Sequence, residues 1–123
     1  MCYRLSVALC LCLLMLTVGC GQRKISHGYR LEKFIENGKF YIHGNGSPDQ
    51  GVFEGVILEL GWGDQYLIAL VDCVFDGDPD GWYFLNMDNG AVAGPLHEDV
   101  RDKIMADEGI QLKPAEDVWA ELK

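Results

Sequence analysis

A nearly unbroken apolar run at residues 66–75 limits the fold more than any other part of the sequence, and its only charged residue is Asp72. A strand that is apolar on both faces is typical of a sheet that is covered on both sides. The preceding segment, residues 52–62, alternates in its second half, so one apolar face is expected opposite Ile57 and Glu59. That face consists of Val56, Leu58, Leu60 and Trp62. The two segments predict a central strand beside a half-buried one.

Further strands are predicted on either side of this pair. They are residues 29–34 and 39–43 around the turn Asn37-Gly38, and residues 82–87 and 91–93 around Asp88-Asn89-Gly90. Such dipeptides favour tight hairpins because they tolerate positive φ. Residues 20–28, which begin with Cys20, are mostly polar and are expected to form a short flexible tether ahead of the domain.

The chain is predicted to become helical after Gly94-Pro95. Leu96, Val100 and Ile104 recur every four residues as one apolar stripe, and Gly109 follows as a stop signal. Pro114 is expected to open a short final helix. The predicted fold is a single α+β domain at residues 29–123, in which an antiparallel β-sheet of about five or six strands is packed by one C-terminal helix plus a short terminal helical segment.

Residues 1–19 are predicted to be an export signal. Arg4 precedes an uncharged apolar stretch at residues 5–18, which has the length of a signal peptide and is too short for a typical spanning helix. The stretch ends in Leu16-Thr17-Val18-Gly19-Cys20, which resembles the lipobox of bacterial lipoproteins. This resemblance implies that the signal is removed, that Cys20 is lipidated, and that the domain is held on the membrane of the cell envelope, facing away from the cytoplasm. An ordinary cleaved signal and an uncleaved anchor are the alternatives.

Gly21 and the number of cysteines give two further expectations. Gly21 stands where an Asp would indicate retention in the inner membrane, so the lipobox resemblance implies the outer membrane if the cell is Gram-negative. Three cysteines lie within the signal, and Cys73 is the one left in the domain. Its apolar neighbours predict a buried structural thiol, since such surroundings raise a thiol pKa and reduce its reactivity.

A second resemblance covers residues 61–110. The Trp62-Gly63-Asp64 turn before a strand, the Trp82-Tyr83 strand, and Gly94-Pro95-Leu96 before an acidic helix are similar to a group of small bacterial lipoproteins of uncharacterised function. The resemblance implies an anchored α+β domain and identifies no catalytic residue.

Charge is distributed unevenly along the chain. It has 19 acidic and 10 basic residues, yet no Lys or Arg lies between Phe40 and Val100, where eleven acids occur. Nucleic acid is excluded as a ligand of this region, because binding a phosphate backbone requires Lys and Arg. A cationic envelope protein is the partner that the charge favours.

The sharpest local pattern is Asp76, Asp78 and Asp80 followed by Gly81, which matches the opening of a calcium loop. Met87 stands where such a loop has its closing glutamate, so the expectation is either a weak calcium site or a solvated acidic turn.

Three aromatic side chains, Trp62, Trp82 and Tyr83, are candidates for a binding platform for a sugar or a peptide, with core packing as the alternative. Catalysis is not expected, because the domain has few nucleophiles and no close pair of metal-ligating histidines. The sequence predicts a non-catalytic, lipid-anchored module with a structural or binding role. The alternative is an anionic inhibitor or immunity-type protein that binds a cationic exported hydrolase or toxin.

Overall fold

The computed structural model describes residues 20–44, 52–53, 55–73 and 80–122. Over these residues the fold is α+β, which confirms the predicted class, and the antiparallel strands are divided between two sheets. The predicted strands around Asn37-Gly38 and around residues 88–90 are all present.

The smaller sheet has the strand order β1-β2-β3. Its strands are β1 (Cys20–Ser26), β2 (Tyr29–Phe34) and β3 (Phe40–His43). The expectation of a flexible tether at residues 20–28 is wrong for most of that segment, because β1 pairs with β2 along its length, from Cys20 opposite Phe34 to Ser26 opposite Tyr29. The backbone hydrogen bonds to β2 order this segment, although its polar side chains do not indicate a strand.

The larger sheet has the order β7-β6-β5-β4-β8 and is antiparallel throughout. Its strands are β4 (Gly55–Trp62), β5 (Tyr66–Cys73), β6 (Gly81–Asn86), β7 (Val92–Leu96) and β8 (Lys113–Pro114). The apolar run predicted to be central forms β5, the middle strand. Leu67, Ile68, Ala69 and Val71 are all buried, so both faces of β5 are covered as expected.

The predicted alternation of β4 is interrupted by a bulge. The register with β5 shifts between Ile57 and Glu59, which leaves Leu58 exposed and sends Ile57 to the core. A bulge inserts one residue and reverses the faces that follow it. Val56 and Leu58 therefore do not share a face with Leu60 and Trp62, contrary to the prediction from simple alternation.

One hydrophobic core joins the two sheets. Leu31 and Ile42 from the smaller sheet belong to the same buried cluster as Ile57, Leu60 and Leu67 from the larger one. Burial of apolar side chains stabilises a fold by about 25 cal/mol per Å², so this shared core is the main interaction holding the sheets together.

The two helices contribute to the core unequally. Helix α1 (Glu98–Glu108) has no buried residue, and Val100 of its predicted apolar stripe is 46 % exposed. Gly109 ends α1 in the left-handed conformation, as the stop signal predicts, and the buried residue of this segment is the Ile110 that follows. Helix α2 (Ala115–Glu121) buries Ala115 and Val118 in the core. The short terminal helix is therefore the one that packs on the sheets.

Candidate functional site

The proposed lipid-attachment residue, Cys20, is the first residue of β1. The predicted signal at residues 1–19 lies outside the described residues, so its removal stays a prediction. At the next position, a Cβ added to Gly21 would lie 2.9 Å from the ring of Trp119, which shows how closely β1 approaches α2. The proposed anchor residue is therefore part of a paired strand, and no flexible spacer separates it from the described domain.

Arg23 fixes β1 to the C-terminal helix. Its Nη1 donates hydrogen bonds to the carbonyl oxygens of Trp119 and Leu122, the latter at 3.0 Å. Its guanidinium carbon also lies 4.2 Å from the centre of the Trp119 ring. A cation at the last turn of a helix satisfies carbonyl groups that have no intrahelical partner. We call these contacts of Arg23 the β1–α2 clamp.

A buried polar pair lies on the other face of the smaller sheet. The side chains of Glu32 and His43 are 7 % and 9 % exposed, and Glu32 Oε2 contacts His43 Nε2. Gln22 Nε2 donates a hydrogen bond of 3.2 Å to the same carboxylate oxygen. Both ring nitrogens of His43 are buried, and neither makes a contact with hydrogen-bond geometry among the described residues. A buried carboxylate requires a polar partner, and this contact connects β2 to β3.

The acidic calcium-type pattern is described only in part. Asp76 and Asp78 lie outside the described residues. Asp80 is exposed, and its Oδ1 accepts a hydrogen bond of 2.7 Å from the backbone N–H of Cys73, which connects the end of β5 to the start of β6. Within the described part of the chain, no three His, Cys, Asp or Glu residues are grouped as metal ligands.

The three candidate aromatic residues do not lie on one surface. Trp62 and Tyr83 pack against the core, whereas Trp82, the neighbour of Tyr83 in β6, is on the opposite face of the strand. The Arg101 guanidinium carbon of α1 lies 4.6 Å from the centre of the Trp82 ring. The three rings are thus divided between the core side of the sheet and its α1 side.

Trp62 also lines a groove of about 270 Å³ beside α2. The polar groups there already interact with each other, because Lys113 Nζ donates hydrogen bonds of 2.8 and 3.0 Å to the two carboxylate oxygens of Glu121. A ligand in this groove would compete with that ion pair.

An arrangement that the sequence did not predict connects Ser26, His27 and Asp88. Ser26 Oγ lies 2.8 Å from His27 Nδ1, and His27 Nε2 lies 3.1 Å from Asp88 Oδ1. A cavity of about 510 Å³ adjoins this hairpin. In a hydrolase triad the serine bonds to Nε2 and a buried carboxylate bonds to Nδ1. Here the nitrogens are used the other way round and the Asp88 side chain is 55 % exposed, so the contacts connect the β1–β2 turn to the β6–β7 turn.

The two sheets carry opposite charge. Residues 20–44, which contain the smaller sheet, include five basic and two acidic residues. The larger sheet and its connections expose several carboxylates, and the sequence between the first and the last of them contains no Lys or Arg: Asp64, Asp72, Asp80, Asp88, Glu98 and Asp99. The smaller sheet is therefore basic, and the larger sheet is acidic.

Comparisons with protein-family models, with curated proteins and with solved structures give no match. The resemblance to small bacterial lipoproteins therefore stays a prediction from the sequence. In the part of the chain that the structure describes, neither helix is both long enough and apolar enough to span a bilayer.

Proposed function

We propose that this chain is a bacterial lipoprotein, anchored through Cys20, whose extracytoplasmic domain has a structural or binding role and no catalytic one. The observation that carries the proposal is the sequence of residues 16–20, which ends an apolar segment of signal length with small residues and a cysteine. Several acyl chains on one residue give stable membrane attachment, whereas a single chain gives only marginal attachment. Cys20 pairs with Phe34 at the end of the smaller sheet, so a chain anchored at Cys20 would hold that sheet next to the membrane.

Metabolic labelling with an alkyne analogue of palmitate tests this proposal. The wild-type chain is expected to incorporate the label and to sediment with the membrane, while Cys20→Ser incorporates none. Cys73→Ser is the matched control, because Cys73 lies in β5 within the domain, and it should be labelled like the wild type. Label that persists in Cys20→Ser would contradict the proposed anchor.

The non-catalytic part of the proposal has its own test. Ser26 is the serine that the structure places beside a histidine, so a fluorophosphonate probe for activated serines should leave the wild-type chain unmodified. Modification that is lost in Ser26→Ala would show that the serine is activated and would contradict this part of the proposal.

A second function is favoured by the exposed carboxylates of the larger sheet. A cationic exported hydrolase or toxin is the class of partner that this surface fits, and the domain would then act as its inhibitor or immunity protein. Complementary charge predicts an association that weakens strongly as salt rises.

Isothermal titration against candidate basic envelope proteins, at low and at physiological salt, measures that dependence. Asp64→Asn with Asp72→Asn, both at exposed positions of the larger sheet and its β4–β5 turn, should weaken binding. Asp107→Asn with Asp117→Asn, at exposed positions of the two helices, provides a control of equal charge change outside the larger sheet. Equal effects of these charge changes would contradict a partner seated on the larger sheet.

A further inference from the structure

The end of the smaller sheet at which β1 begins is also the end at which β2 and β3 are connected. Cys20 pairs with Phe34, the last residue of β2, and the turn at residues 35–39 follows at once. Paired strands lie about 4.8 Å apart. The backbone of the proposed anchor residue is therefore next to this turn, whatever the orientation of the rest of the domain.

This end of the sheet exposes apolar side chains. Ile35 is 58 % exposed, which is more than any other exposed large apolar side chain in the described part of the chain. Phe34 and Tyr41, both half-buried, form an edge-to-face contact with ring centres 5.0 Å apart. An exposed aliphatic side chain beside aromatic rings is typical of segments that sit at the interface between a bilayer and water.

The charges of the domain favour the same orientation. Lys39 ends the turn and is exposed, as is Lys24 of β1. These residues belong to the basic smaller sheet, in which Glu36 is the exposed acid, whereas exposed carboxylates such as Asp64 and Asp72 belong to the larger sheet and its turns. Anionic headgroups attract basic side chains and repel acidic ones, so a charged bilayer surface favours contact with the smaller sheet.

We propose that Ile35, with Phe34 and Tyr41, contacts the phospholipid bilayer next to the lipidated Cys20 and seats the domain with its acidic sheet directed away from the membrane. The inference rests on the proposed lipid anchor and adds an orientation to it. An anchored chain cannot move this turn far from the bilayer, because no spacer separates Cys20 from β1. The occupant of the exposed apolar surface is therefore the membrane rather than a second copy of the chain.

Quenching of tryptophan fluorescence by brominated acyl chains tests the contact. The full-length chain is expressed in bacteria, its lipidation is verified by intact mass, and it is reconstituted into vesicles of phosphatidylethanolamine and phosphatidylglycerol with and without bromine. Ile35→Trp adds a reporter at the turn. Val100→Trp is the matched control, since Val100 is also an exposed apolar residue but lies on α1. The signal of the wild-type chain is subtracted to remove the native tryptophans.

The expected result is strong quenching of the added tryptophan at position 35 and little at position 100. Absence of quenching at position 35 in a chain of verified lipidation would overturn the seating while leaving the anchor in place. Equal quenching at both positions, or cross-linking of position 35 to another copy without quenching, would also overturn it. A chain without acyl mass would overturn the anchor itself and, with it, this inference.

Discussion

At the scale of single residues, Glu32 and His43 are the buried polar side chains of the smaller sheet, and they contact each other. Both are buried, and Glu32 connects three strands by accepting from Gln22 in β1 while it pairs with His43 in β3. Replacing an ion pair by apolar groups can be neutral, but removal of one partner leaves the other buried without compensation. The stability of the smaller sheet should therefore depend on both members being present.

We expect Glu32→Ala to lower the free energy of unfolding by about 2 kcal/mol, since it removes the partners of both His43 and Gln22. Urea denaturation followed by circular dichroism measures the change. Glu36→Ala is the control, because Glu36 is an exposed acid in the β2–β3 turn, and it should change stability by less than about 0.5 kcal/mol. Equal stability of the two variants would show that the buried pair contributes nothing.

At the scale of elements, apolar side chains indicated the strands that were predicted correctly. The mostly polar strand β1 was not predicted. The run at residues 66–75 indicates β5 because it is apolar on both faces, and Gly109 indicates the end of α1 because it provides the left-handed cap. Strand β1 has only Ile25 as a large apolar residue within residues 21–26. It is ordered by backbone pairing and by Arg23, which contacts residues almost a hundred positions away, and no local pattern reports such contacts.

The same limit explains the errors in β4 and α1. Alternation could not reveal the bulge near Leu58, because an inserted residue changes the faces without changing the composition. The apolar stripe of α1 could not reveal that α1 buries no residue while the shorter α2 buries Ala115 and Val118. Among the candidate sites, Trp62, Trp82 and Tyr83 were found as aromatic residues, but their division between two faces depends on strand register.

The β1–α2 clamp gives a prediction at this scale. Arg23→Ala removes two hydrogen bonds to carbonyl groups and the contact with the Trp119 ring, so it should destabilise the fold by about 2 kcal/mol. Hydrogen exchange should then accelerate in α2 before it does in β5. Lys24→Ala, at the neighbouring exposed position, is the matched control. Unchanged exchange in α2 after Arg23→Ala would contradict the clamp.

At the scale of the whole molecule, charge is separated between the two sheets while the core is shared. The formal net charge of the chain is −9, and its acids are concentrated in the segment without Lys or Arg. Repulsion among the carboxylates of the larger sheet opposes compact folding, and dissolved salt screens it over about 10 Å at 0.1 M. The acidic surface is thus a cost to stability that a cationic partner would relieve.

We therefore expect the thermal midpoint to rise between low salt and physiological salt. Calorimetry of the full chain in detergent micelles measures the midpoint at each salt concentration. Asp72→Asn with Asp88→Asn, both exposed on the larger sheet, should reduce this salt dependence. A midpoint that falls with salt would indicate that attraction between the sheets, rather than repulsion within one of them, dominates the electrostatics.

The proposed orientation of the domain on the membrane and the proposed class of partner both depend on the lipid anchor. Lipidation of Cys20 would add the mass of acyl chains to the protein. Intact-mass analysis of the membrane fraction, for the wild type and for Cys20→Ser, measures that added mass. The account predicts a chain that begins at Cys20 and carries the added mass of acyl chains, both lost in the variant. A wild-type chain that keeps Met1, or that is soluble and unacylated, would contradict the account.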